Sequence, residues 1–126
     1  MKGVEGIAGV RFGRLAPTLS VTSIAAAVDF YVRLLGFEKK FENGNPVGFM
    51  ILRKDEAELH ITLDKGHKAK AHNVAHLMVD NAAVLYDHCT TNDVRIIKGM
   101  RDAEYGLRGF VFADPDGNRI DVGQIL

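Results

Sequence analysis

The chain has 126 residues, of which 47% are hydrophobic and 25% are charged, and its formal net charge is zero. This size and composition predict one compact domain and exclude a disordered chain, and the balanced charge speaks against a nucleic-acid partner. No apolar run reaches the roughly 20 residues of a membrane helix, so we expect no membrane partner. The single cysteine, Cys89, excludes an intrachain disulfide and is typical of a reducing compartment, so we expect a soluble, cytoplasmic protein.

The first half of the chain opens with a Gly-rich segment, residues 1–14, which we predict to be an extension outside the domain. Residues 15–21 alternate apolar residues with small or polar ones, which predicts a strand. The hydroxyls of Thr22-Ser23 can cap a helix, and apolar residues recur at helical spacing over residues 24–35. Gly36 follows at the position where a helix end favours a positive φ.

Three short strands separated by turn sequences complete this half. They are predicted over residues 37–41, 47–52 and 58–63. The polar segment 65–71 has no apolar period, so we interpret it as a linker.

The second half repeats this order of elements. Residues 74–79 predict a strand, and Asp80 or Asn81 can cap a helix that ends near Asn92-Asp93. The last three strands are predicted over residues 94–98, 105–113 and 119–125.

Several residues of the second half have a structural interpretation. Gly106 and Gly109 are predicted to be turn or bulge residues, and residues 114–118 form a tight turn. Cys89 lacks any motif and is predicted to be a buried small residue. Two histidines are predicted at the surface, His67 and His88.

The repeated order predicts an α+β fold of two βαβββ modules, about 15–64 and 73–126, that form a curved mixed β-sheet around a cleft. One helix covers only one face of each sheet, so the other face must line the cleft, where a small molecule would bind. The modules of one chain could pair with each other or exchange between two chains.

Strand alternation brings several polar side chains to the predicted cleft. Glu58 and His60 share a strand face, and His76 lies opposite the apolar Ala75 and Leu77 on its own strand. The predicted cleft group is Glu58, His60, His76, Arg119 and Asp121. Such a group could bind a transition metal, or each imidazole could simply form a hydrogen bond with a carboxylate.

Four motifs in the same order resemble those of one superfamily. They are Ala26–Tyr31 leading to Leu35–Phe37, Glu58–His60, Leu77–Asn81, and Tyr105–Arg108 followed by Asp114–Asn118. The chain resembles the vicinal-oxygen-chelate superfamily, and within it the glyoxalase, bleomycin resistance protein and dioxygenase family. The resemblance covers about residues 15–126 and implies the two-module fold described above.

The resemblance implies four positions for the ligands of a divalent metal. They fall on Ala16 or Pro17, Glu58, Val74 and Asp121. Both positions at which the family carries an imidazole are lost, which argues against the usual metal site, so we expect no cofactor. The alternative is one divalent metal ion held by Glu58, His76 and Asp121.

The resemblance also implies a function. Bleomycin resistance proteins are homodimers that sequester the drug by stacking its flat rings on aromatic side chains in clefts between subunits. Tyr105 stands where that family often has Trp, and Phe41 and Phe49 flank the position of a second aromatic contact. The expected ligand-binding residues are Phe41, Phe49, Glu58, His60, His76, Tyr105, Arg108 and Asp121.

We therefore expect a metal-free homodimer that binds a bleomycin-type or other flat aromatic compound. The neutral charge and the absence of Trp speak against bleomycin itself, which is cationic. The alternative is a metal-dependent lyase, dioxygenase or transferase of the same superfamily. An enzyme that works without a metal would use Glu58 as a general base, which requires that burial raise the pKa of Glu58. A structural domain is a third interpretation, disfavoured because polar groups in a cleft are costly unless used.

Overall fold

The computed structural model describes residue 3 and residues 5–126. The first module contains strand β1, helix α1 and strands β2, β3 and β4. Their bounds are Thr18–Val21 for β1, Ile24–Ala27 and Val28–Leu34 for the two parts of α1, Glu38–Asn43 for β2, Phe49–Lys54 for β3 and Ala57–Leu63 for β4.

The second module repeats this order with strand β5, helix α2 and strands β6, β7 and β8. Their bounds are Asn73–Met78 for β5, Ala82–Thr91 for α2, Arg95–Asp102 for β6, Leu107–Ala113 for β7 and Arg119–Ile125 for β8.

Each module builds one four-stranded sheet. Sheet A has the order β1-β4-β3-β2, and sheet B has the order β5-β8-β7-β6. In both sheets the edge strand that precedes the helix pairs in parallel with the last strand, and the other neighbours are antiparallel. The prediction of an α+β fold made of two βαβββ modules is confirmed.

The helices begin and end close to the predicted positions. The Ser23 hydroxyl accepts a hydrogen bond from the Ala26 N–H, and Asn81 caps α2 in the same way through Val84. Helix α1 departs from the 3.6-residue period that we predicted, because residues 28–34 form a π-helix. Within the described residues, no helix has the length and apolar composition needed to cross a membrane.

Several strand boundaries differ from the prediction. Residues 15–17 were expected in the first strand but precede β1, and Leu15 is 99% exposed. Gly106 occupies a turn at φ 82°, as predicted, whereas Gly109 lies within β7 and is not a turn residue. The β-bulge alternative for Gly109 is met only on the partner strand, where the pairing of β6 is irregular between Lys98 and Arg101, the residue that pairs with Gly109. Strand β6 extends to Asp102 because its irregular pairing with β7 continues past residue 98.

The two helix-covered sheet faces share one hydrophobic core. Phe30 of α1 packs against Phe112 of β7 with 6.1 Å between ring centroids. Leu59 and Ile61 of sheet A belong to the same buried cluster as Val122 of sheet B. Each sheet therefore presents its other face away from this core.

Polar contacts at Asp114 also join the modules. Its buried carboxylate accepts a hydrogen bond from the Tyr31 hydroxyl at 2.7 Å, while the Asn118 amide donates to the backbone oxygen of Ser20 at 2.9 Å. Burial, and then the negative charge of Asp114, raises the pKa of Tyr31 well above that of an exposed tyrosine. The phenol therefore stays neutral and donates this bond.

Cys89 lies in the core and is fully buried, as predicted. Burial raises the pKa of its thiol to about 11. Because the thiolate is the reactive form, we expect no reaction of the native protein with a disulfide reagent such as DTNB at pH 8. Complete unfolding in guanidinium chloride should release one reactive thiol per chain. Rapid stoichiometric reaction of the native protein would contradict the buried position.

Candidate functional site

Each sheet has a face that no helix covers. Open face A is the uncovered face of sheet A, and by strand alternation and pairing it carries Phe41, Phe49, Ile51, Arg53, Glu58, His60 and Thr62. Open face B is the uncovered face of sheet B, and it carries His76, Met78, Lys98, Arg101, Gly109, Arg119, Asp121 and Gly123. The predicted cleft residues Glu58, His60, His76, Arg119 and Asp121 all lie on these faces, opposite apolar neighbours that are buried or half-buried.

An aromatic row runs across open face A. The Phe41 and Phe49 rings meet edge to face at 6.3 Å between centroids, and Phe49 meets the His60 imidazole at 5.6 Å. Phe41 is 50% exposed. This row is an accessible apolar surface on which a flat ring can pack.

The Glu58 carboxylate lies next to His60, at one end of the aromatic row. Its carboxylate lies 2.9 Å from His60 Nε2, 3.0 Å from Arg14 Nε and 3.5 Å from Arg53 Nε. The hydrogen bond with His60, and then the charge of Arg14, hold the pKa of Glu58 below its usual range against the opposing effect of desolvation. A raised pKa, which the general-base hypothesis required, is therefore wrong for Glu58.

A second imidazole–carboxylate pair lies on open face B. His76 Nδ1 is 2.8 Å from the Asp121 carboxylate, and its Nε2 is 3.0 Å from the Met78 sulfur. His60 and His76 thus each pair with a carboxylate of their own sheet, which is one of the two arrangements that the sequence left open.

A small polar cavity of about 190 Å³ lies on open face B. Its walls include Lys98 and Arg101 from β6, Tyr105 from the turn before β7, and the His76–Asp121 pair. Tyr105 is 77% exposed, so its ring is available to a ligand.

A larger groove runs between the two modules. One cavity of about 680 Å³ is lined by Pro17, Glu58 and His76, and a neighbouring one of about 1040 Å³ lies between α1, α2 and the β3–β4 turn. Neither these cavities nor the one on open face B joins the aromatic row to Tyr105 within the described part of the chain. Apart from Arg108, the predicted ligand-binding residues therefore fall into two groups, one on open face A and one around open face B, and Glu58 and His76 of the two groups meet at the 680 Å³ cavity.

Arg108 is placed differently from the other predicted site residues. It shares the helix-side face of β7 with Phe110, and its guanidinium makes two hydrogen bonds to Asp102, at 2.7 and 3.2 Å. Of the two histidines predicted at the surface, His88 is exposed and bonds to the Leu34 backbone oxygen at 2.6 Å. His67 is half-buried, so its prediction as a surface residue was wrong.

Sequence reasoning missed Lys98 and Arg101 on open face B. They stand three positions apart, so simple alternation would place them on opposite faces of a strand. Irregular pairing on both sides of Lys98 brings both residues opposite β7 residues of the open face. Gly109 and Gly123, paired across β7 and β8, were also missed as part of this face.

The side chains of the two faces do not fit the metal centre that the fold family implies. Two of the four implied positions, Ala16 or Pro17 and Val74, carry no ligand atom. Within residue 3 and residues 5–126, no three His, Cys, Asp or Glu side chains are grouped closely enough to hold an ion. Glu58, His76 and Asp121 are not assembled because β4 and β8 belong to different sheets, and each carboxylate there is engaged by an imidazole of its own sheet.

The amino-acid sequence of this two-module chain matches one family model. The model of the Glyoxalase/Bleomycin resistance protein/Dioxygenase superfamily matches residues 11–122. The chain belongs to this superfamily. A comparison with curated protein sequences finds no match.

Solved structures of the superfamily share this architecture. A bleomycin resistance determinant encoded on the transposon Tn5 is 24% identical, with a TM-score of 0.77 over 90% of this chain and 98% of that one. The bleomycin-binding protein from Streptomyces verticillus, complexed with copper(II)-bleomycin, is 27% identical, with a TM-score of 0.71 over 90% of this chain and 96% of that one. A lactoylglutathione lyase from Agrobacterium tumefaciens is 15% identical, with a TM-score of 0.71 over 89% of this chain and 92% of that one. Binding proteins and an enzyme thus share the fold, so the fold alone does not select a function.

Proposed function

We propose that this protein is a metal-free binding protein that sequesters a flat aromatic small molecule in the cytoplasm. The observation that carries the proposal is the aromatic row of Phe41, Phe49 and His60 on open face A, in which Phe41 is 50% exposed. A contiguous apolar patch on a protein surface commonly marks the binding site of a ligand or a partner. The resemblance to bleomycin-binding proteins supports a ligand with planar rings.

The binding unit in this proposal is a homodimer. One chain presents the aromatic row and Tyr105 on different open faces, and no described cavity joins them. A two-fold pairing that sets open face A of one chain against open face B of the other would build two equal clefts. Each cleft would then hold a ring between the row and the partner's Tyr105. Sedimentation equilibrium should give twice the mass of the 126-residue chain.

The ligand is tested with four probes: bleomycin, 2-naphthoate, 2-naphthamide and 2-naphthylmethylamine. Calorimetry should show saturable binding of at least one probe at one molecule per chain. Absence of saturable binding for all four would overturn the proposed function.

Metal analysis of the purified protein is the second test. One divalent ion per chain, lost in Glu58→Gln, would instead favour an enzyme.

Replacing Tyr105 by Ala should weaken binding of the best probe by about 1–3 kcal/mol, which is the cost of losing a stacked ring in a binding site. Tyr105→Phe keeps the ring and should retain most of the affinity. Since Tyr105 is 77% exposed, neither variant should lower the free energy of unfolding appreciably. Val84→Ala, on an exposed position of α2, is the matched control. Equal affinities for Tyr105→Ala and Val84→Ala would contradict a role for the ring.

A further inference from the structure

The floor of the cavity on open face B is polypeptide backbone. Gly109 and Gly123 pair directly across β7 and β8, and both line this cavity. A Cβ at Gly123 would lie 3.2 Å from the His76 ring and 3.3 Å from the Met78 sulfur, so these two side chains pack against the backbone of Gly123. A flat ring in this cavity therefore lies beside the His76 ring, which also lines it, with the glycine backbone as part of the floor.

The charges around this floor are unbalanced. Lys98 and Arg101 line the cavity, and within the described residues neither has a carboxylate within 4.0 Å. The carboxylate of Asp121, which also lines it, is already bonded to His76. The local field is therefore positive, although the whole chain is neutral.

Among the described residues, each carboxylate on the strands of sheet A already has a basic partner. Glu58 is held by Arg14, Arg53 and His60. The other two acidic residues on this sheet are bonded to lysines, Glu38 to Lys40 and Glu42 to Lys39. The two cations thus remain available to an anionic group from outside the protein.

We propose that the ligand of this protein carries an anionic group, a carboxylate or a phosphate, on a flat ring. The ring lies on the Gly109–Gly123 floor beside Tyr105, and Lys98 and Arg101 bind the anion. This inference rests on the proposed function, since it names the chemical class of the compound that the cleft takes. It assigns a charge opposite to that of a cationic glycopeptide.

The test compares three probes with the same ring and different charge. We expect 2-naphthoate to bind at least tenfold more tightly than 2-naphthamide, and 2-naphthylmethylamine to bind most weakly. In Lys98→Glu the preference for 2-naphthoate over 2-naphthamide should disappear, because the anion meets a negative charge. Lys70→Glu makes the same charge change in the linker between the modules and should keep the preference. Raising the salt concentration should weaken 2-naphthoate binding and leave 2-naphthamide binding nearly unchanged.

The outcomes separate this inference from the proposed function. Tight binding of 2-naphthylmethylamine or bleomycin without a preference for 2-naphthoate would overturn the anionic ligand and leave the binding function standing. A preference for 2-naphthoate that survives in both Lys98→Glu and Arg101→Glu would overturn the assigned cations. Both residues are exposed, so circular dichroism should show that these variants fold. Failure of all probes would overturn both proposals.

Discussion

Replacing Gly109 by Ala should cost more than about 4 kcal/mol of folding free energy, the range reached only by severe backbone or core disruption. A Cβ at this position would overlap the backbone carbonyl oxygen of Val122 in the neighbouring strand. Val122 is only 1% exposed and belongs to the shared core, so β8 cannot move aside without disturbing that core. The collision is with backbone, which has no alternative rotamer to relieve it.

Urea denaturation followed by far-ultraviolet circular dichroism measures this effect. Gly48→Ala is the matched control, because a Cβ there has no atom within 4 Å and its φ lies outside the left-handed region. The control should change the free energy of unfolding by no more than about 0.5 kcal/mol. If Gly109→Ala were as stable as Gly48→Ala, the close approach of β7 to β8 would be wrong.

Replacing Asp114 by Ala should destabilise the protein by about 3–5 kcal/mol, because it removes a buried charged acceptor and leaves its hydrogen-bond donors without a partner. The carboxylate accepts four hydrogen bonds: from Tyr31 Oη at 2.7 Å, and at 2.9 Å each from Asp116 N, Asn118 N and Asn118 Nδ2. Without it, the buried Tyr31 hydroxyl loses its acceptor, and the turn that precedes β8 loses its organising side chain.

A double-mutant cycle separates the module contact from the turn. Tyr31→Phe alone should cost about 1.5–3 kcal/mol, the range for a hydrogen bond to a charged group. In the Asp114→Ala background the same change should be neutral or stabilising, since the hydroxyl no longer has a partner. Equal costs of Tyr31→Phe in the two backgrounds would show that the bond contributes nothing to stability.

Much of the fold could be predicted because local signals there agree with the tertiary structure. Ser23 and Asn81 cap the helices, as their side-chain chemistry predicts. Strand alternation correctly set Glu58 and His60 opposite Leu59 and Ile61, because burying one face fixes the phase of a strand.

The errors lie where local patterns do not report distant contacts. Residues 15–17 alternate like a strand, but the register with β4 begins at Thr18, and Pro17 contributes only its carbonyl oxygen, which accepts from the His60 N–H. Gly109 looks like a turn glycine in sequence, whereas its actual constraint is the carbonyl of Val122, thirteen positions further along the chain. A glycine within a strand can mark a bulge, a bend or a close approach of another backbone, and the sequence does not say which of these applies.

The sequence by itself determined the two modules, their helix caps, the family, and the pairing partners available to each imidazole. Those features depend on periodicity, short-range hydrogen bonding and motif order, all of which are local along the chain. Only the tertiary structure decided that the predicted ligand-binding residues other than Arg108 divide between two open faces, and that Lys98 and Arg101 share one of these faces with Gly109 and Gly123. The physical reason is that irregular pairing shifts the phase of β6, and the shared core sets which face of each sheet remains open.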